Sequence, residues 1–301
     1  MAQTRVITLD LNFQGRPYAI ASYLIRYGDA VVLIESGPGS TRAALEAGLA
    51  KEGFSPRDVT HVLLTHIHLD HAGAAGWLAR QGAEIYVHPV GAPHMLNPEK
   101  LIASATRIYG DRMESLWGEF LPVPEERLKV PQDMEEIVIG NLKFVPINTP
   151  GHAEHHYAYL FEDVCFTGDV GGVRILGYQY LRIPMVPPEL HMERWHESIK
   201  RLRREKFARI APTHFGIFDD PEWHLRQVEK ELDNTVHWME EVMAADPSVE
   251  ELRQLFVERT LADNEKLALS EEVVNAYQLA NPPGMSADGL MRYWKKVRNA
   301  G

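Results

Sequence analysis

Three histidines and an aspartate crowd the stretch VLLTHIHLDHAGAA (62–75): His66, His68, Asp70 and His71. Imidazole nitrogens and a carboxylate at this density suit a first-row divalent metal ion. His66 and His68 are two residues apart, so an extended segment points both side chains the same way. His66 and His71 are five apart, which does not fit the i, i+4 pair of a helical HExxH zinc site. The spacing suits a loop wrapped around an ion. Three more polar residues each follow an apolar run: His152 in TPGHAEHH after LKFVPINT, Asp169 in FTGD after VCF, and His214 in APTH after ARI. Left unpaired in an apolar setting, each would carry a desolvation cost of roughly 2 kcal/mol or more. Gathering them on a metal removes that cost.

The elements needed to bring them together are readable. TRVITLDL, YAIASYLIRY and AVVLIESG, separated by QGRP and GD, have the Val/Ile/Tyr content and turn residues of an antiparallel meander. STRAALEAGLAKEG predicts a helix, with Ser40 or Thr41 available to cap its start and Gly53 to close its end. HVLLT and EIYVHP read as strands on either side of the helix AGAAGWLARQG. Residues 91–130 change to helical segments with Met, Trp and Pro. Strands resume at EEIVIG, LKFVPINT, HYAYLFE and VCFTGD, followed by the helix LHMERWHESIKRLRRE and the short strand ARIAPTH. From Pro221 onward, apolar residues recur every three or four positions and predict helices only. Strands interleaved with helices imply helices layered on sheet. Each candidate ligand then stands at the carboxyl end of a strand, or just beyond it.

Composition narrows the function classes. The chain has 301 residues, 45% hydrophobic and 24% charged, enough for one large domain or two modest ones. Lys+Arg 31 against Asp+Glu 42 gives a net charge of −11, which argues against a nucleic-acid partner. The basic run KRLRREK (200–206) reads as a solvated helix face. No apolar stretch approaches the roughly 20 residues of a membrane span, and the N-terminus lacks the apolar core of a signal peptide. Cys165, the single cysteine, excludes an intrachain disulfide and reads as a small core residue. A cytoplasmic protein with a small-molecule substrate is expected, with an apolar tail compatible with a homodimer.

In this order, THIHLDHAG, TPGH, FTGD and APTH resemble the metallo-β-lactamase superfamily, in particular its binuclear hydrolases related to glyoxalase II and the acyl-homoserine lactonases. The resemblance covers about residues 1–220. It implies a four-layer αββα sandwich with a helical insertion at about 91–130 and a C-terminal helical appendage at 221–301. It implies that His66, His68 and His152 hold one divalent ion, that Asp70, His71 and His214 hold a second, and that Asp169 bridges them. Zinc is the expected metal, with iron or manganese compatible with the same donors. A shared hydroxide of near-neutral pKa would attack a small ester, thioester or lactone, oriented by Asp70.

The chain departs from the family pattern at two places. Glu35-Ser36-Gly37 stands where an Asp normally supports the metal loop, a role Glu35 is expected to keep. GHAEHH replaces the GHTxGH of glyoxalase II, and the tail shows no counterpart of the basic residues that bind glutathione there. Tyr178 or Tyr180, in the irregular segment after Asp169, could donate to a developing oxyanion as a tyrosine does in the lactonases, or could pack against the tail. His155 and His156 read mainly as supporting residues, and His88 and His94 as structural or pocket-lining ones. Arg174 and Arg182 are candidate anchors for an anionic substrate. Met95, Tyr109, Met113, Trp117 and Phe120 read as the core of the helical insertion or the wall of an apolar pocket. A persulfide dioxygenase-like enzyme with one iron is the alternative activity, disfavoured by His214 and the intact Asp70-His71 pair. A non-catalytic metal-binding protein is a further alternative.

Overall fold

A computed structural model describes residues 5–298; residues 1–4 and 299–301, which the expected domain bounds include, lie outside it. The first sheet runs in chain order through β1 (Val6–Asp10), β2 (Ala21–Tyr27), β3 (Ala30–Ile34), β4 (His61–Leu63), β5 (Glu84–Tyr86) and β6 (Leu128–Lys129). β1 to β3 form the expected antiparallel meander, and Gly28 (φ 56°) supplies the left-handed residue of the tight β2–β3 turn. From β3 to β6 the pairing is parallel. Parallel neighbours need crossovers. α1 (Arg42–Lys51) joins β3 to β4, and α2 (Leu69–Ala72) with α3 (Ala75–Gln81) joins β4 to β5.

The second sheet contains β7 (Ile137–Ile139), β8 (Leu142–Asn148), β9 (Tyr157–Phe161), β10 (Val164–Phe166) and β11 (Arg209–Ala211), in the order β11-β10-β9-β8-β7. Only β10 and β11 are parallel, and α7 (Met192–Leu202) spans the chain between them. Alternation along the strands builds three apolar layers. Tyr23, Ile25, Val32 and Ile34 face Phe144, Tyr159, Phe161 and Phe166 between the sheets. Leu24, Val31 and Leu33 point the other way, onto Leu45 and Leu49 of α1 and Leu78 of α3. Ile147, Ala158, Cys165 and Ile210 meet Trp195 and Ile199 of α7. Helices therefore cover the outer faces of two stacked sheets. Each buried Leu, Ile or Phe in these layers contributes about 1.5–3 kcal/mol.

Three differences from the expectations have local causes. Thr41 is the N-cap of α1, but its hydroxyl donates to the Pro38 carbonyl (3.0 Å) instead of capping, because a 3-10 turn at Gly39–Thr41 precedes the helix. The helical insertion comprises α4 (Ala92–Leu96), α5 (Glu99–Tyr109) and α6 (Met113–Trp117); its last residues form β6, which pairs with β5. The tail forms α8 (Pro221–Met243), α9 (Val249–Lys266), α10 (Glu271–Ala280) and α11 (Pro283–Lys296). Its apolar faces merge with the sheets' own layers. Leu225, Leu232, Leu252, Phe256 and Leu290 join the layer outside the second sheet, while Val273 and Tyr277 enter the layer between the sheets. None of the described helices is long and apolar enough to cross a membrane.

Candidate metal centre

All seven candidate ligands converge at one edge of the sandwich, beyond the ends of β4, β8, β10 and β11. His68 precedes α2 in extended conformation (φ −60°, ψ 155°), and Asp70 and His71 lie in that helix's first turn. Gly151 (φ 139°) turns the chain after β8; a Cβ there would stand 2.4 Å from Trp195 Cα, so the tight approach to α7 requires glycine. His66 Nε2 and His152 Nε2 lie 2.9 and 3.0 Å from His68 Nδ1. Asp70, His71 and His214 form a second triad, with His71 Nε2 and His214 Nε2 at 3.6 and 3.5 Å from Asp70 Oδ2. Asp169 stands between the triads. Its Oδ2 is 3.3 Å from His152 Nε2, and its Oδ1 is 3.1 Å from His71 Nε2 and 3.3 Å from His214 Nε2.

Fixed acceptors behind three of the histidines set their orientation. His152 Nδ1 donates to the Pro184 carbonyl (2.8 Å), His214 Nδ1 to the Ala19 carbonyl (2.6 Å) and His71 Nδ1 to Glu35 Oε1 (2.9 Å). Carbonyl and carboxylate oxygens accept, so Nδ1 carries a proton and Nε2 faces the cluster, where it can offer its lone pair to a cation. This is the arrangement that prepares imidazole for a metal. Buried His71 Nε2, His214 Nε2 and Asp169 Oδ1 have no aligned hydrogen-bond partner, close as they are. Inward lone pairs, two carboxylates and unpartnered buried atoms fit divalent cations.

Glu35 also lies within reach of His66 and His71, and those three could themselves hold an ion. Its oxygens are already engaged, however, accepting from His71 Nδ1, the Thr65 amide (3.2 Å), Thr213 Oγ1 (3.1 Å) and the Thr65 hydroxyl. Glu35 thus braces the metal loop from behind, as expected for the residue replacing Asp. The amides of Ser36 and Gly37 extend that brace by donating to the His71 carbonyl at 2.9 and 3.1 Å.

The cluster's electrostatics favour added positive charge. Burial resists protonation of His71, but Asp169, Asp70 and Glu35 outweigh it and hold its pKa well above the usual range. Burial likewise opposes charge on His214, yet Asp169 and Asp70 raise it to about 10. Burial would raise the Asp70 carboxyl, but His71 and His214 bring it down to about 2. The first triad behaves oppositely: burial, then the neighbouring His152, lowers His68 to about 3. Its nitrogens are neutral donors. A cation bound here would replace the protons that the carboxylates otherwise draw onto His71 and His214. Of the seven residues, His68 and Asp70 alone are partly exposed, so the cluster opens to solvent beside them.

The other candidates have different surroundings. Neither Tyr178 nor Tyr180 hydrogen-bonds to the cluster among the described residues. The Tyr180 hydroxyl accepts from Arg182 Nε (3.2 Å), and its ring meets Tyr277 of the tail edge-on. Arg174 is spent on Asp220 (2.6 and 2.9 Å), and Arg182 Nη2 donates to Asn264 Oδ1 (2.5 Å). His155 and His156 stack near His66, and His156 Nδ1 meets Thr149 Oγ1 at 2.8 Å. His88 meets Asn148 Oδ1 at 3.1 Å. Met95, Trp117 and Phe120 pack into the layer outside the first sheet. Tyr109 differs: burial, and then the Asp70 carboxylate, push its hydroxyl well above the usual range. It is protonated at neutral pH and within electrostatic reach of the centre. Sequence reading grouped it with the insertion's apolar residues, since only tertiary placement sets it apart.

Comparison with known proteins agrees with this geometry. Residues 15–214 match the family model described as the metallo-beta-lactamase superfamily. The chain belongs to that superfamily. A metallo-beta-lactamase fold-containing protein, ST1585 of Sulfurisphaera tokodaii, is 30% identical over 217 residues, covering 69% of this chain and 78% of the relative. Its crystal structure superposes with a TM-score of 0.63 at 26% identity over 75% of this chain and 86% of that one. An atrochrysone carboxyl ACP thioesterase of Aspergillus fumigatus is 24% identical over 258 residues, 85% of this chain and 67% of the relative. A metallo-beta-lactamase family protein of Thermus thermophilus, TTHA1429, shares the fold over 98% of this chain and 94% of its own, with a TM-score of 0.66 at 19% identity. That last match extends the likeness through the tail. The αββα architecture is thus the superfamily's, and the histidine cluster lies at one edge of this metallo-hydrolase scaffold.

Proposed function

We propose that the chain is a binuclear metal-dependent hydrolase acting on the carbonyl of a small thioester, ester or lactone, with an acyl thioester as the favoured substrate. The observation that carries the metal-dependent reading is the set of Nδ1 anchors, which turn the Nε2 lone pairs of His71, His152 and His214 towards Asp169. His66, His68 and His152 would hold one ion and Asp70, His71 and His214 the other, with Asp169 between the two triads. Bound divalent ions supply an activated water and a Lewis acid for the carbonyl oxygen.

The chain's own residues do the rest. Asp70, one-fifth exposed, orients the attacking water at the open side of the cluster and fixes its approach. Tyr109, whose buried hydroxyl stays protonated and senses the Asp70 charge, is the candidate donor to the oxygen that gains charge as the carbonyl is attacked. Glu35 keeps His71 in register while its partner atoms are engaged. The thioesterase relative supports a thioester over the other carbonyl substrates, and the closed-off Cys165 leaves no cysteine nucleophile among the described residues.

The test is a substrate panel of acyl thioesters (carrier-protein, coenzyme A and glutathione), lactones, simple esters and a phosphodiester. Turnover of a thioester, lost on chelation and restored by metal, is expected. Asp70→Ala should cost at least about 100-fold in kcat while the far-UV spectrum is retained. Turnover confined to the phosphodiester, or unchanged in Asp70→Ala, would overturn the reading.

A further inference from the structure

The C-terminal helices reach the metal centre through a stretch of backbone. Pro184, whose carbonyl orients His152, lies in a segment (172–186) whose internal backbone pairing is the Val173–Arg182 bridge and one turn at Tyr178. Proline has no N–H with which to anchor itself. Both of its neighbours are instead tied to the elbow between α10 and α11. Asn281 Nδ2 donates to the Ile183 carbonyl at 3.0 Å. Ser286 Oγ accepts from the Met185 amide at 3.4 Å and donates to Asn281 Oδ1 at 2.8 Å. Gly289, one turn further along α11, lies so close that a Cβ would stand 2.0 Å from the Met185 carbonyl oxygen. Asn281 and Ser286 are buried, so water does not substitute readily for either side chain.

We infer that Asn281 is a positioning residue for His152: it fixes backbone 183–185 so that the Pro184 carbonyl holds the imidazole in its metal-binding orientation. The inference rests on the metal-centre reading above. It assigns the tail a role at one triad and not the other. His71 and His214 are oriented by Glu35 and the Ala19 carbonyl, which belong to the first sheet's side of the molecule and make no described contact with Asn281. Removing the Asn281 amide takes the side-chain donor from the Ile183 carbonyl and the acceptor from the Ser286 hydroxyl, which keeps only the Met185 amide; this frees Pro184 to shift and loosens His152.

The test follows metal release to a chelator from the full-length, metal-loaded chain, resolving two ions by cobalt absorption or by rate. Outer partners of metal-bound histidines typically contribute 10–100-fold in affinity. Asn281→Ala should therefore speed the loss of one ion by about 10–100-fold and leave the other unchanged. Ser286→Ala, which keeps Asn281, should shift the same ion less and serves if the first variant does not fold. Arg253→Ala breaks a surface pair with Asp288 (2.6 Å) between α9 and α11 and is the control for a merely loosened tail. It should lower Tm without selective release. Equal weakening of both ions, or no change in either, would overturn the role of Asn281. A wild-type chain that binds no metal in the same assay would overturn this inference together with the metal-centre reading, a distinct result.

Discussion

At the scale of single residues, the centre depends as much on what stands behind the ligands as on the ligands. Glu35 adopts a left-handed backbone (φ 68°), uncommon outside glycine, and its carboxylate then accepts from Thr65, His71 and Thr213. Tyr109 and Tyr180 offer a contrast. The Tyr180 hydroxyl accepts from Arg182, whereas burial, with the Asp70 charge second, keeps the Tyr109 hydroxyl protonated, and its ring meets Trp117 edge-on. Tyr109→Phe should lower kcat by about 100-fold on a substrate with a poor leaving group and leave Tm nearly unchanged. Tyr180→Phe should do the reverse. Steady-state kinetics and thermal melts decide; equal kcat in Tyr109→Phe and wild type would remove that donor. The seven clustered residues were legible because His and Asp after apolar runs are conspicuous. The Pro184 and Ala19 carbonyls were not, because a backbone acceptor carries no residue signature. Tyr178 and Tyr180 drew notice by following Asp169 in sequence, yet their described contacts are structural.

At the scale of elements, the turns after β10 and β11 need support from outside the sheet. His224 of α8 provides some of it, donating from Nε2 to the Gly171 carbonyl (2.7 Å) just beyond Asp169. Burial, more than the Arg174 charge, lowers His224 to about 4 from 6.5. The neutral form therefore stabilises the fold. Its contribution is complete above about pH 6.5 and is lost as pH falls through about 4, on the order of 3 kcal/mol in total. Wild type should lose about 2 kcal/mol more than His224→Gln between pH 7.5 and 5, read from urea midpoints of the metal-loaded proteins. Parallel pH profiles would contradict this. Apolar runs rich in Val, Ile and Tyr, bounded by turn residues, made the strands legible, since one set of their side chains faces the other sheet and the next faces helices. β6 was missed because two residues in a proline-rich stretch have no period, and pairing with β5 alone makes them a strand.

At the scale of the whole molecule, the tail is continuous with the sheet domain's core. Phe256, Leu290 and Tyr293 pack in one layer with Trp195 and Cys165, and Tyr277 reaches between the sheets to accept from the Ile175 amide (3.2 Å) and donate to the Tyr180 carbonyl (2.7 Å). Helical periodicity announced that these helices bury a face, but not which surface receives it. The basic run at 200–206, read as a solvated helix face, straddles the end of α7 and forms surface pairs, with Arg201 on Asp133 and Arg203 on Glu222 and Glu229. What unites the layers functionally is one edge where four strand ends, braced by both sheets and by the tail, meet around Asp169. The measurement that tests this most directly is metal content per chain on purified protein, by plasma mass spectrometry, before and after removing Asp169 as Asp169→Ala. Two ions per chain in wild type, with fewer than one retained in the variant, is the predicted result. One iron per chain, with oxygen consumed on a persulfide, would contradict the binuclear hydrolase.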